Sequence, residues 1–349
     1  MRKTCLLALV ACLAIAGCNT SKETSIAASA DTPSFSLAWS EYPSWSVFGI
    51  ADELGLIDGD AGAMGQLEQK HNVDIVLKEA GYDSCLNMFA SKECDAVCMT
   101  NMDALIISPS RSAVAVLPTS TSNGADACLV TKNIADLEAL KSHKVYGLKG
   151  SVSEYCFVRG IEKAGFQEAD FEFTNLGPDV AATNMQQGSE EHQAIVVWNP
   201  FVLQTLRSAP NARVLFDSTE IPGEIVDMVV MGADSLEKPG AQEFIAAVCD
   251  AFYAVNQELE GDNSDQVLAA LGTKFSNLEL ADMKTVIQQT QFYKTAAEGK
   301  ALLNSDEFKT TMDTVKEFCE SHDLVKGATI GFGSDAGEVN LKFDSSYLP

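Results

Sequence analysis

The chain has 349 residues, 46% of them hydrophobic, and 24 Lys and Arg against 49 Asp and Glu leave a formal net charge of −25. A field of that sign repels nucleic acid and anionic lipid faces and attracts cations, so no nucleic-acid partner is expected. The length suits two lobes of ordinary size, and beyond the N-terminal stretch no apolar run reaches the roughly 20 residues that a spanning helix needs.

Residues 1–18 read MRKTCLLALVACLAIAGC. Arg2 and Lys3 form a basic start, residues 6–15 are an apolar stretch too short to cross a bilayer comfortably, and Ala16-Gly17-Cys18 is a small-residue cleavage site. Residues 13–18, LAIAGC, resemble the lipobox of bacterial lipoproteins, in which cleavage precedes the cysteine and leaves it lipidated. Residues 1–17 are therefore expected to be a lipoprotein signal peptide and residues 18–33 a polar tether. Cys18 would carry the lipid that holds an exported domain at the periplasmic or cell-surface face of a bacterial membrane. Each buried methylene of such a chain contributes about 0.8 kcal/mol of membrane affinity.

Strand and helix patterns alternate from Phe35 onward, which predicts α/β layering with largely parallel sheets. Strands are expected over 35–39, 73–77, 95–99 and 112–117. A helix follows the first strand, with Ser44 as its cap and Trp45, Phe48 and Leu54 on one face, and another spans 82–91. A second set of strands is expected over 128–131, 144–148, 171–174, 194–198 and 213–216, with helices over 134–140, 151–163, 180–187 and 201–208 between them. Residues 225–231 read as an extended segment crossing back. From Ser235 to His322 the pattern is almost wholly helical, with Phe244, Ile245, Val248, Phe252 and Val255 near helical spacing. The layout is thus a first lobe over 34–121, a second over 122–229, and a return to the first over 230–349. Two crossings, near 119–123 and 229–232, form the hinge, and the helical tail packs on the first lobe.

Ten cysteines in an exported chain ordinarily suggest disulfides. Cys5 and Cys12 leave with the signal and Cys18 is lipidated, so Cys85, Cys94, Cys98, Cys128, Cys156, Cys249 and Cys319 remain, an odd number. Several sit in apolar runs, where cysteine behaves as a small hydrophobe. The histidines His71, His143, His192 and His322 are scattered with no ligand pair nearby, so no metal site is expected.

Ligands of open α/β sheets bind beyond the carboxyl ends of strands. The loops there carry Trp39, Ser40, Glu41, Tyr42 and Trp45 after the first strand, and Thr100, Asn101 and Asp103 after the third. Ser122 and Asn123 lie at the first crossing, Gly150, Ser151 and Val152 follow a strand of the second lobe, and Trp198 and Asn199 follow another. Each has a plainer structural role available, core packing for Trp45 and helix capping for Asn101 or Ser151, and it is their coincidence at several strand ends that marks a site. No Gly-x-Ser-x-Gly elbow, phosphate loop, His-Glu-x-x-His or complete dinucleotide fingerprint occurs, and no nucleophile has a base nearby. No catalytic residue and no cofactor is expected.

Trp39-Ser40 through Gly49, Gly55-Leu56-Ile57, Cys94-Asp95-Ala96-Val97 and Val197-Trp198-Asn199-Pro200-Phe201 resemble the substrate-binding proteins of nitrate, sulfonate, taurine and related ABC importers. The likeness covers roughly residues 35–232. Within that family, residues 98–105 and 122–124 resemble members found beside urea carboxylase and guanidine-degradation genes. The resemblance implies a two-lobed periplasmic binding protein fold, two doubly wound sheets that close on a small-molecule ligand. It also implies docking on an ABC permease with its cytoplasmic ATPase, and a monomer. The family includes a thiamine-pyrimidine synthase branch, but the contiguous cysteines and the histidine chemistry of that branch are missing. A non-transport sensor lobe is the other alternative class.

The strand-end loops offer an anion no cation except Lys149, and the arginines after the signal are Arg111, Arg159, Arg207 and Arg213. Helix starts at Asn101, Ser151 and Pro200 offer backbone N–H groups instead. Glu41, Asp103, Glu224 and Asp227 accompany Trp39, Tyr42, Trp45 and Trp198, a combination that suits a small cation or planar amide donor. A guanidine- or urea-like ligand is therefore favoured over a sulfonate, nitrate or pyrimidine.

Overall fold

The computed structural model describes residues 25–274 and 278–349. The expected signal peptide and the expected lipidation site Cys18 lie outside the described residues. The end of the expected tether is not free: Ile26–Ala27 pairs antiparallel with Ala63–Met64.

Two sheets organise the described residues. The larger has eight strands, with Ile330–Phe332, Leu341–Phe343, Ala113–Ser122, Val226–Gly232, Ala96–Thr100, Ser34–Trp39 and Asp74–Glu79 in spatial order, and Thr290–Phe292 pairing with Ala113–Ser122. The smaller runs Ala212–Asp217, Asp126–Thr131, Ala194–Trp198, Lys144–Gly147, Glu172–Asn175. The sheets are mixed rather than largely parallel: six pairings are parallel and five antiparallel. In each sheet the strand that enters directly from a crossing, Val226–Gly232 or Asp126–Thr131, runs antiparallel to both neighbours. Such a strand arrives without the helical crossover that parallel pairing needs.

The second crossing lies earlier than expected. Val226, Met228 and Val229 pair with Thr121, Pro118 and Leu117 of the larger sheet, so residues 226–229 belong to the first lobe and the crossing runs between Asp217 and Val226. The first crossing lies between Ser122 and Asp126. The sequence signal was weak here because Val226–Gly232 is buried on both faces, and an uninterrupted apolar run does not announce which sheet it joins.

The tail is mostly helical but not strandless. Thr290–Phe292, Ile330–Phe332 and Leu341–Phe343 extend the first sheet. Helix Ala241–Glu260 buries Phe244, Ile245, Val248, Phe252 and Val255 as their spacing predicts. Phe244 stacks on Phe35 with ring centroids 5.0 Å apart, and Phe252 meets Phe48 at 6.4 Å. Full burial of each such side chain contributes about 1.5–3 kcal/mol, which ties the tail to the first lobe. The tail also reaches the second lobe: Phe318 meets Tyr155 edge-on at 5.1 Å, and Gln289 Oε1 accepts from Asn199 Nδ2 at 2.8 Å.

The helix after the first strand begins at Val47 with Ser46 at its N-cap. Ser44, expected to cap it, instead lies 3.0 Å from Thr119 Oγ1 and 2.9 Å from Ser120 Oγ. Leu54 is 39% exposed rather than on the buried face. All seven cysteines in the described residues are buried and unpaired.

Candidate functional site

A cavity of about 880 Å³ opens between the lobes, walled by loops at the strand ends of both sheets. Of the residues singled out from sequence, the strand-end residues Ser40, Glu41, Tyr42, Trp45, Thr100, Ser151, Val152 and Trp198 line it, and so does Asp227. Its aromatic wall is continuous on the first lobe. Trp45 stacks on Tyr82 with centroids 5.4 Å apart and planes 16° apart, and Tyr42 meets Trp45 at 4.8 Å. Trp198, half-buried, faces from the second lobe with Phe201 edge-on to it at 6.3 Å. The Trp45 indole N–H is buried without a hydrogen-bond partner.

The charge of the wall is one-sided. Glu41, Glu79, Asp83, Asp126, Asp179 and Asp227 line the cavity, and among the described residues no lysine, arginine or histidine does. Burial pushes the Asp126 carboxyl up to about 6, against the hydrogen bond from Ser122. Burial raises Asp227 well above the usual carboxylate range, opposed by Ser120 and augmented by the Asp126 charge. Ser120 Oγ donates to Asp227 Oδ2 at 2.6 Å. The phenols of Tyr42 and Tyr82 are both raised, by burial first and then by the facing carboxylates Asp227 and Asp103.

The other sequence candidates stand behind or beside the cavity. Trp39 is core, 2% exposed. Asn101 is fully buried and splints the return crossing, its Oδ1 accepting from Val226 N at 3.1 Å and its Nδ2 donating to Glu224 O at 3.0 Å. Asp103 accepts from Tyr82 OH at 2.5 Å and Thr100 Oγ1 at 2.6 Å, so it positions the aromatic wall from behind. Burial raises its carboxyl above the ordinary range. Thr100, rather than Asn101, caps the helix that starts there.

Ser122 pairs with Ser218 at 2.7 Å where the two crossings meet, and the Asn123 amide donates to Gln289 O at 2.8 Å. Asn199 is fully buried and held by Gln289. Gly150 takes the left-handed φ of +70° that its turn requires, and its amide donates to Glu154 Oε2 at 2.7 Å. Ser151 does cap its helix, accepting from Ser153 N at 3.2 Å. Glu224 is pinned by Arg159 at 3.0 Å and Tyr155 at 2.6 Å. Burial would raise its carboxyl, and those bonds outweigh it and hold the group low. The remaining arginines are also occupied: Arg111 by Asp234 and two carbonyls, Arg207 by Asp282, Arg213 by the Ile134 and Ala135 carbonyls.

Sequence reading missed Asp126, Tyr82, Glu79, Asp83 and Asp179. Asp126 opens an otherwise apolar strand immediately after the crossing, which is a readable signal, but the strand was placed two residues late. Tyr82 and Asp83 follow the strand Asp74–Glu79, whose carboxyl end obeys the same rule as the other strand-end loops.

No protein-family model and no curated protein matches the sequence. Solved structures match over most of the chain. The periplasmic aliphatic sulphonate binding protein SsuA from Escherichia coli superposes with a TM-score of 0.66 at 22% identity, covering 84% of this chain and 94% of that one. The alkanesulfonate-binding protein SsuA from Xanthomonas axonopodis pv. citri bound to MOPS gives 0.65 at 16%, covering 85% and 96%. A putative sulfonate ABC transporter's periplasmic sulfonate-binding protein SsuA from Methylobacillus flagellatus gives 0.62 at 15%, covering 84% and 88%. The chain has the two-lobed periplasmic binding protein fold. These neighbours are of the kind that the strand-end motifs resemble, and none of them has a name that points to urea or guanidine.

Proposed function

We propose that the protein is an extracytoplasmic solute-binding protein, not an enzyme, that captures a small molecule between its lobes and delivers it to an ABC importer. The observation that carries this reading is the inter-lobe cavity, aromatic on both sides and lined by carboxylates. Export and anchoring through Cys18 belong to the same reading, and Cys18→Ser should yield an uncleaved or mis-anchored precursor. A mature terminus elsewhere, with no acyl mass by mass spectrometry, would count against the anchor.

The wall chemistry favours a small nitrogen-rich cation or amide donor of guanidine or urea type. A unit charge 4 Å from a carboxylate gains about 4 kcal/mol at an effective dielectric of about 20, and an anion there pays the same amount. A cation on an indole or phenol face adds about 0.5–2 kcal/mol. The sulfonate-binding neighbours supply the competing reading, since a sulfonate would have to rely on neutral donors such as the Trp45 indole and the amides at Ser151. Thermal shift of the purified protein against guanidine, urea, amines, alkanesulfonates, nitrate and pyrimidines separates them. A ligand at 100 times its dissociation constant adds about 2.7 kcal/mol of stability. Stabilisation by sulfonates alone would overturn the nitrogen-rich reading, and chemically altered ligand recovered afterward would overturn the transport reading.

A further inference from the structure

His322 lies more than 150 residues along the chain from Glu154 and Glu168, so no ligand spacing is visible in the sequence, yet the fold assembles the three. One ligand atom from each lies within 4.8 Å of the others. Glu154 stands in the first turn of helix Val152–Lys163 and Glu168 opens the short turn Glu168–Asp170, both in the second lobe. His322 ends helix Asp306–Ser321, which packs on helix Asn101–Ile107 of the first lobe.

Two further features point to a ligand. Glu154 is 2% exposed and its Oε1 is buried without a hydrogen-bond partner, while Oε2 accepts from the Gly150 amide. The exposed ammonium of Lys149 forms a long ion pair with Oε1 at 3.9 Å and donates no hydrogen bond to it. A buried carboxylate oxygen left in that state costs stability that a bound cation would recover. The imidazole is also held in place: Nδ1 lies 2.9 Å from the Phe318 carbonyl oxygen and 3.0 Å from Ser321 Oγ, and Nε2 lies 3.1 Å from Glu168 Oε1, a contact that takes a proton on Nε2 when no ion is bound and that an ion would replace. A carbonyl partner on one ring nitrogen fixes the tautomer in which the other binds metal.

We propose that Glu154, Glu168 and His322 form a divalent-cation site, best suited to Zn²⁺, that staples the tail of the first lobe to the second lobe. Two carboxylates balance the ion's charge, and three protein ligands with water in the fourth position make a tetrahedral Zn²⁺ sphere. Bonds of about 2.1 Å in that geometry put ligand atoms about 3.4 Å apart, so closing the cluster requires shifts on the order of 1 Å. The half-exposed Glu168 side chain can supply them. An ion held there resists separation of the lobes and so slows release from the cleft. That consequence rests on the proposed solute-binding reading, whereas the ion site does not.

The test is calorimetric titration of the chelator-treated protein with Zn²⁺ and no organic solute present, with Co²⁺ as a visible-absorption probe of a tetrahedral site. One ion per chain is expected, with affinity at least tenfold weaker in Glu168→Gln and in His322→Ala, and with the Co²⁺ band lost in both. Glu168 is exposed, so its variant keeps the fold. No saturable binding, or affinity unchanged in both variants because the acidic surface binds the ion elsewhere, would overturn the proposal. Because no solute is present, a negative result leaves the reading of the cleft standing. Failure of every solute in the cleft would likewise leave the ion titration interpretable.

Discussion

Asp227 Oδ2 accepts a 2.6 Å hydrogen bond from Ser120 Oγ across the pairing of the return strand with its neighbour, and this is how a carboxyl is held in an otherwise apolar strand. Asp126, from the first strand of the second lobe, raises the Asp227 carboxyl further by its charge. Two carboxyls from two lobes therefore share the cavity, and burial raises both.

Binding of a cationic solute should accordingly release protons. The Asp126 carboxyl, raised to about 6, is largely protonated at pH 5.5, and a cation drives it to the carboxylate. Calorimetric titration in buffers of different ionisation enthalpy is expected to show net proton release at pH 5.5 that fades by pH 8, with affinity rising over the same interval. Neutral or anionic ligands would show no such release.

The same group makes stability depend on pH in a calculable direction. A carboxyl raised from 3.8 to about 6 stabilises the fold fully below about pH 4, and that contribution is lost as pH rises through about 6. Asp126→Asn removes the dependence, so the ligand-free variant should gain on the wild type between pH 4 and pH 7 by up to about 3 kcal/mol. Thermal unfolding at the two pH values measures it.

Trp198→Ala should weaken ligand binding by about 1–2 kcal/mol, the worth of a partly desolvated aromatic face against a cation. The ring is half-buried at the cavity wall, and the fold is expected to survive its loss, with an unchanged circular dichroism spectrum. Unchanged affinity would place the ligand on the first lobe's aromatic wall alone.

Asn101→Ala should destabilise the whole domain. It strands the buried Val226 amide and the Glu224 carbonyl together, and unsatisfied groups of this kind cost about 1–3 kcal/mol each. A loss of about 2–4 kcal/mol by thermal unfolding is expected, with ligand affinity following only through the looser crossing.

The cysteines should be inert in the native state. Burial pushes the thiols of Cys85 to about 11 and of Cys94, Cys249 and Cys319 to about 12, and raises Cys98, Cys128 and Cys156 as well. The reactive species is the thiolate, so an aromatic disulfide reagent at pH 8 should label none of these seven until the protein is unfolded. Rapid labelling of any one would show an opening that the packed structure does not contain.

Periodicity placed the strands and helices of both sheets before the tail but missed helix Gln66–His71 and the pair Ile26–Ala27 and Ala63–Met64, while Ala194–Trp198 and Phe201–Ser208 match residue for residue. Those elements were legible because apolar spacing and turn residues act locally. The strand-end rule likewise located eight of the cavity's residues, since the end of a strand is visible in the chain itself. What the sequence could not determine was which side of a loop faces the cleft. Trp39 and Trp45 are six residues apart in one aromatic loop, yet one is core and the other wall. Asn101 and Thr100 are adjacent, yet one splints the crossing and the other lines the cavity. The sheet joined by Val226–Gly232, the pairing of the tail's three strands, and the meeting of Glu154, Glu168 and His322 were decided only by tertiary structure. Each depends on which distant segments share a sheet edge or a lobe boundary. Contacts between residues so far apart along the chain leave no period and no spacing to read.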